Sequence, residues 1–135
     1  MPGLNTLAQT TRQGSETYDQ AVHFVHLYVI EPHPTSPDVS PYRGDVWETE
    51  YSTLGQPVDL AERNLNAAAT EVLLKGKQLL LVDDLTPSGP VNPVWCTYGP
   101  APNAAFLIGQ NGIVEVQQDW LDVDAMRTAI DTLLE

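Results

Sequence analysis

The chain has one cysteine, Cys96, and six positive residues: Arg12, Arg43, Arg63, Lys75, Lys77 and Arg127. A lone cysteine excludes an internal disulfide, a Cys-x-x-Cys redox pair and a zinc site built on several thiolates. Six cations against 18 acidic residues give a net charge of −12, which repels phosphate backbones and anionic lipid surfaces. Neither nucleic acid nor membrane is an expected partner. No apolar run approaches the about 20 residues needed to span a bilayer. The first residues show no basic-then-apolar leader pattern, so a cytoplasmic protein is the expectation. Internal repeats, low-complexity tracts, phosphate-cradling glycine loops and a Ser-His-acid spacing are also missing from the sequence.

What is present suits one α/β domain over 1–135: 135 residues with 42% hydrophobic content can bury a single core. Leu4, Leu7 and Ala8 have helical spacing within 3–17, a helix weakened by Thr10, Thr11, Gly14 and Ser15. Val22 to Ile30 is a nearly continuous apolar run, the pattern of a strand buried on both faces. Residues 32–57 are rich in Pro, Ser, Gly and acid, a long loop of the kind that carries function. Asp59 with Glu62 reads as a helix cap, opening a helix that faces the core through Leu65, Ala68, Ala69, Val72 and Leu73 and stops at Gly76. Gln78–Val82 is a second strand, ending at Asp83-Asp84. Ala104–Ile108 and Ile113–Val116 flank Gln110-Asn111-Gly112, a hairpin signal because Asn-Gly tolerates positive φ. A closing helix capped near Asp122 or Asp124 carries Val123, Met126, Ile130, Leu133 and Leu134 on one stripe. This succession predicts a sandwich with a mixed sheet.

Few residues invite chemistry on their own. His23 and His26 are three apart on a strand, which sends their rings to opposite faces and rules out joint metal ligation. Asp83, Asp84 and Glu31 could share a cation, but a solvated strand end is the simpler expectation. Cys96 has no sequence-adjacent cation to activate it and reads as a small buried apolar residue. Trp47, Trp95 and Trp120 read as core and lid. No cofactor is implied.

The stretch His23-Phe24-Val25-His26-Leu27-Tyr28-Val29-Ile30-Glu31-Pro32-His33-Pro34 resembles the Asp-Phe-Leu-x-x-Tyr-Ile-Glu-Glu-Ala-His strand and turn of the iodothyronine deiodinases. It is similar also to their bacterial deiodinase-like relatives, cousins of the peroxiredoxins. Gln78-Leu79-Leu80-Leu81-Val82-Asp83 resembles the family's Pro-Val-Val-Val-Asp strand, and Tyr98-Gly99-Pro100-Ala101-Pro102 through Ile108 resembles its run into a hairpin. Trp120 and an acidic closing helix complete the likeness, which covers the whole chain through motifs that are each weak alone.

The resemblance implies a thioredoxin-like fold and a thiol- or selenol-dependent reductase served by a thiol reductant. By the same alignment, Glu31 and His33 would supply a proton, and Pro2, Tyr28 and Pro102 would shape the pocket, Pro102 as a cis proline. The family's nucleophile, a Cys or Sec followed by Pro at a helix start, aligns with Met1-Pro2, so the nucleophile is missing and its proline is present. The central strand that should precede it is missing too. The expectation is therefore a domain that lacks its first catalytic strand, read as the C-terminal portion of such a reductase and inactive alone. The competing expectation is a non-catalytic module that completes its sheet as a homodimer or with a strand-donating partner; a rearranged sheet is the third. The family's substrate-clamping arginine aligns with Ala104, which argues against iodothyronine as substrate.

Overall fold

The computed structural model describes residues 2–14, 16–35, 53–85, 92–98 and 103–135. In chain order the elements are α1 (Pro2–Gln9), β1 (Thr11–Arg12), β2 (Glu16–Thr17), α2 (Tyr18–Ala21), β3 (Phe24–Tyr28), α3 (Leu60–Glu71), β4 (Gln78–Val82), α4 (Pro93–Tyr98), β5 (Ala105–Ile108), β6 (Val114–Gln118) and α5 (Val123–Leu133). The α/β expectation holds: among the described residues the strands form three two-stranded sheets, β3–β4 parallel and β1–β2 and β5–β6 antiparallel. None of the described helices is long and apolar enough to cross a membrane. The chain divides into two compact units, Met1–Val22 with Gly99–Glu135, and His23–Tyr98.

In the discontinuous unit the expected helix over 3–17 stops at Gln9. Thr10 and Thr11 favour extended backbone, and Gly14, at φ 121°, turns β1 back onto β2. Proline suits the first turn of α1, where its missing N–H would have had no acceptor. Leu7, Ala8, Tyr18, Leu107, Met126 and Ile130 are buried together here. Burying a side chain such as Ile130 contributes about 1.5–3 kcal/mol. The Asp131 carboxylate accepts the Tyr18 hydroxyl at 2.9 Å and pairs with Arg12 Nε at 3.4 Å. The hairpin closes where expected, with Gly112 at φ 80° and its N–H bonded to the Gly109 carbonyl. Asp122 caps α5 by accepting the Asp124 and Ala125 N–H groups, both at 3.0 Å. Leu133 and Trp120 lie exposed, against the expectation for both.

The second unit is a βαβ unit. β3 and β4 run in register from Phe24↔Gln78 to Tyr28↔Val82, and α3 makes the crossover that parallel strands require. Two expectations fail in this unit. β3 is buried on one face only: Phe24 is buried and His26 and Tyr28 half-buried, whereas Val25 and Leu27 are exposed beside Leu79 and Leu81. The run of apolar residues promised two covered faces, and the burial pattern shows one. The helix does begin at its Asp59 cap, which accepts the Glu62 N–H at 2.9 Å, but it faces the sheet the other way round. Arg63, Ala67 and Thr70 are buried, and Leu65, Val72 and Leu73 are exposed.

Enlarging the true buried face should hurt. Ala67→Leu is expected to lower unfolding stability by about 1–3 kcal/mol, the usual effect of overpacking. Denaturant titration with an unchanged midpoint would mean that α3 packs through its Leu65 side after all.

Candidate functional site

Parallel βαβ units gather loops at the carboxyl ends of their strands, and ligand sites in open α/β sheets form there. In this chain that corner holds Tyr28 at the end of β3, Glu31 and His33 just beyond, Asp83 and Asp84 after β4, and the first turns of α3. The Tyr28 hydroxyl donates to Glu31 Oε2 at 2.7 Å, while Glu31 Oε1 accepts the backbone N–H of His33 at 3.3 Å. The side-chain amide of Gln56 pairs with the Glu31 backbone as a peptide would, its Oε1 taking the N–H at 2.9 Å and its Nε2 giving to the carbonyl at 3.0 Å. Burial first, and then the Glu31 carboxylate that accepts its proton, push the Tyr28 phenol well above its ordinary value; Asn66 and Arg63 pull weakly the other way.

Beside this lies a polar core that sequence reading missed. Arg63 is 1% exposed, and its guanidinium donates to the backbone carbonyls of Asp83 and Asp84 at 3.2 and 3.1 Å and to Asn92 Oδ1 at 2.5 Å. Burial pulls the Arg63 pKa down, opposed by the neighbouring Asp83 carboxylate. Asp83 is not the solvated strand end expected. At 1% exposure its carboxylate accepts the N–H groups of Asp84, Val94 and Trp95, at 2.9 to 3.2 Å, and so holds the first turn of α4. The clue available in the sequence was the spacing Arg63, Ala67, Thr70, which is as helical as the apolar stripe that drew attention instead.

A shallow cleft of about 260 Å³ adjoins the corner, lined by Gly55, Gln56, Pro57, Glu62, Leu65 and Asn66. Its polar groups are already engaged with the protein: Gln56 with Glu31, Asn66 with the Gly55 carbonyl at 3.0 Å, and Glu62 with the Val58 N–H at 3.0 Å. That leaves little to recognise a small ligand. No group of three or more His, Cys, Asp or Glu among the described residues is placed to hold a metal ion.

Of the residues expected in the site, the structure brings Tyr28, Glu31 and His33 together, with the Glu31 contact reaching His33 through its backbone N–H. Pro2 opens α1 in the other unit. Met1, Pro102 and Trp47 lie outside the described residues, and with Pro102 the expected cis bond. Cys96, expected buried, is exposed on α4. No protein-family model, curated protein or solved structure matches this chain.

The Tyr28–Glu31 bond makes stability depend on alkaline pH. Folded Tyr28 keeps its proton where the unfolded phenol, at its ordinary value of 10.0, loses it. The contribution is thus complete below that pH and falls as pH rises above it. Denaturation midpoints measured through the alkaline range should fall less steeply for Tyr28→Phe than for the parent; parallel slopes would remove Tyr28 as the titrating group.

Proposed function

We propose that this chain is a non-catalytic assembly module of thioredoxin-like fold, which binds a protein partner through the outside of its βαβ unit. The order supports the fold reading: β3, α3 and parallel β4, then α4, the antiparallel β5–β6 hairpin and α5. One observation carries the functional reading. Both outer sides of the βαβ unit are apolar and exposed, Val25, Leu27, Leu79 and Leu81 on the sheet, and Leu65 on the helix with Val72 and Leu73 just past its end. Exposed apolar surface of that extent marks an interaction site more often than an accident of folding.

The corner at the strand ends supports the same reading by its chemistry. Each Glu31 oxygen accepts a hydrogen bond from within the turn, from the Tyr28 hydroxyl and from the His33 N–H, so the carboxylate braces the turn. The net charge of −12 favours a protein partner over a nucleic acid.

The second reading, a reductase domain whose nucleophile comes from another segment, is favoured by a different observation. Among the described residues β3 and β5 each pair on one side only, as they would in a thioredoxin fold that lacks the strand between them.

Turnover can only overturn the module reading, because a reductase domain without its nucleophile is silent too. Association of the chain tests the module reading directly. With dithiothreitol as reductant and hydrogen peroxide or an aryl iodide as acceptor, the chain is expected to consume neither above the buffer rate, before or after Cys96→Ser. Thiol-dependent turnover that is lost in Glu31→Gln would overturn the module reading and restore the corner as a catalytic site.

A further inference from the structure

The exposed side of α3 is patterned. At 100° per residue, Ala61, Leu65, Ala68 and Ala69 fall within one stripe that the C-cap Val72 continues, and all five are exposed. Leu65 is 71% and Val72 80% exposed, values expected of charged side chains rather than of large aliphatic ones. The opposite side carries the buried Arg63, Ala67 and Thr70, so the stripe is what remains once α3 has met the sheet.

The pattern is also its own complement. Counted along the sequence from a point midway between Ala68 and Ala69, Leu65 and the C-cap Val72 are equally distant, and so are Glu62 and Lys75, which lies beyond the helix end. Asp59 and Glu62, both exposed, sit at the amino end of the helix, while Lys75 and Lys77, both exposed, follow its carboxyl end. Two such helices packed antiparallel around a two-fold axis at Ala68–Ala69 would set Leu65 of each against Val72 of the other. The alanines would lie at the closest approach, where small side chains permit a short interaxial distance. Each acidic amino end would meet Lys75 and Lys77, which follow the other helix beyond Glu71 and its C-cap Val72, and the opposed helix dipoles also favour the alignment. An isologous interface demands this self-complementarity, whereas an unrelated partner does not.

We propose that this face of α3 is a homodimer interface, with a second copy of the chain as its occupant. The proposal rests on the assembly-module reading and names its partner. The large like charge of the two copies does not forbid it. At physiological ionic strength the Debye length is about 8 Å, so distant carboxylates are screened and contacts at the interface decide.

Sedimentation velocity on the full chain, from micromolar to submillimolar concentration at physiological salt, should show a reversible monomer–dimer equilibrium. Leu65→Glu and Val72→Glu should each weaken it at least about tenfold, as central apolar contacts do. Glu62→Lys should weaken it too, and adding Lys75→Glu to that variant should recover much of the loss. In a Cys96→Ser background, mild oxidation of Ala69→Cys should yield a covalent dimer and that of Leu79→Cys, on the sheet face, should not. Because the cysteine variants change little volume, they report on the interface even where a glutamate variant fails to fold. A chain that stays monomeric throughout, or a dimer that Leu65→Glu leaves intact and Leu79→Cys captures, would overturn the proposal. A monomer without turnover removes only the dimer; turnover removes the module reading itself.

Discussion

The guanidinium of Arg63 is buried beside the carboxyl end of β4, where it holds the carbonyls of Asp83 and Asp84 and the side chain of Asn92. Desolvating a cation costs several kcal/mol unless its donors find acceptors, and hydrogen bonds to a charged group contribute about 1.5–3 kcal/mol each. Those acceptors exist in one place, so the orientation of α3 follows from them. Once Arg63 faces inward, Ala67 and Thr70 must follow it at helical spacing, and Leu65, Ala68, Ala69 and Val72 must turn outward. The same contact fixes the residues around Asp83, whose carboxylate then meets the first amides of α4.

This is also why the sequence misled where it did. Hydrophobic periodicity assigns the apolar side of a helix to the core, and on α3 that rule fails because a buried polar network outweighs the stripe. Local chemistry was more legible. The Asp59 and Asp122 caps, the turn at Gly112 and the buried Met126 and Ile130 on α5 are all where short-range rules put them. Strand burial was not legible in β3, since a nearly continuous apolar run cannot tell whether a second layer lies on its far side.

Tyr28, Glu31 and His33 do converge, yet their hydrogen bonds fasten a turn, with Gln56 closing the backbone of Glu31 from the side. Nothing in the local sequence announces Gln56, 25 residues further along, because its partner is a main-chain amide and carbonyl that any residue at 31 would offer. Long-range pairing to backbone leaves no compositional trace.

The unit that joins the two ends of the chain has a kinetic consequence. Arg12 reaches Asp131 across a separation of 119 residues, and Tyr18 reaches the same carboxylate across 113. The other unit, His23–Tyr98, is continuous and spans far less sequence. Closing the longer loop carries the larger entropic cost, and contacts of high sequence separation slow folding. During synthesis α1 and the β1–β2 hairpin are made well before α5, against which α1 packs. The βαβ unit can be complete well before then, so α1 and its hairpin belong to the part that folds later.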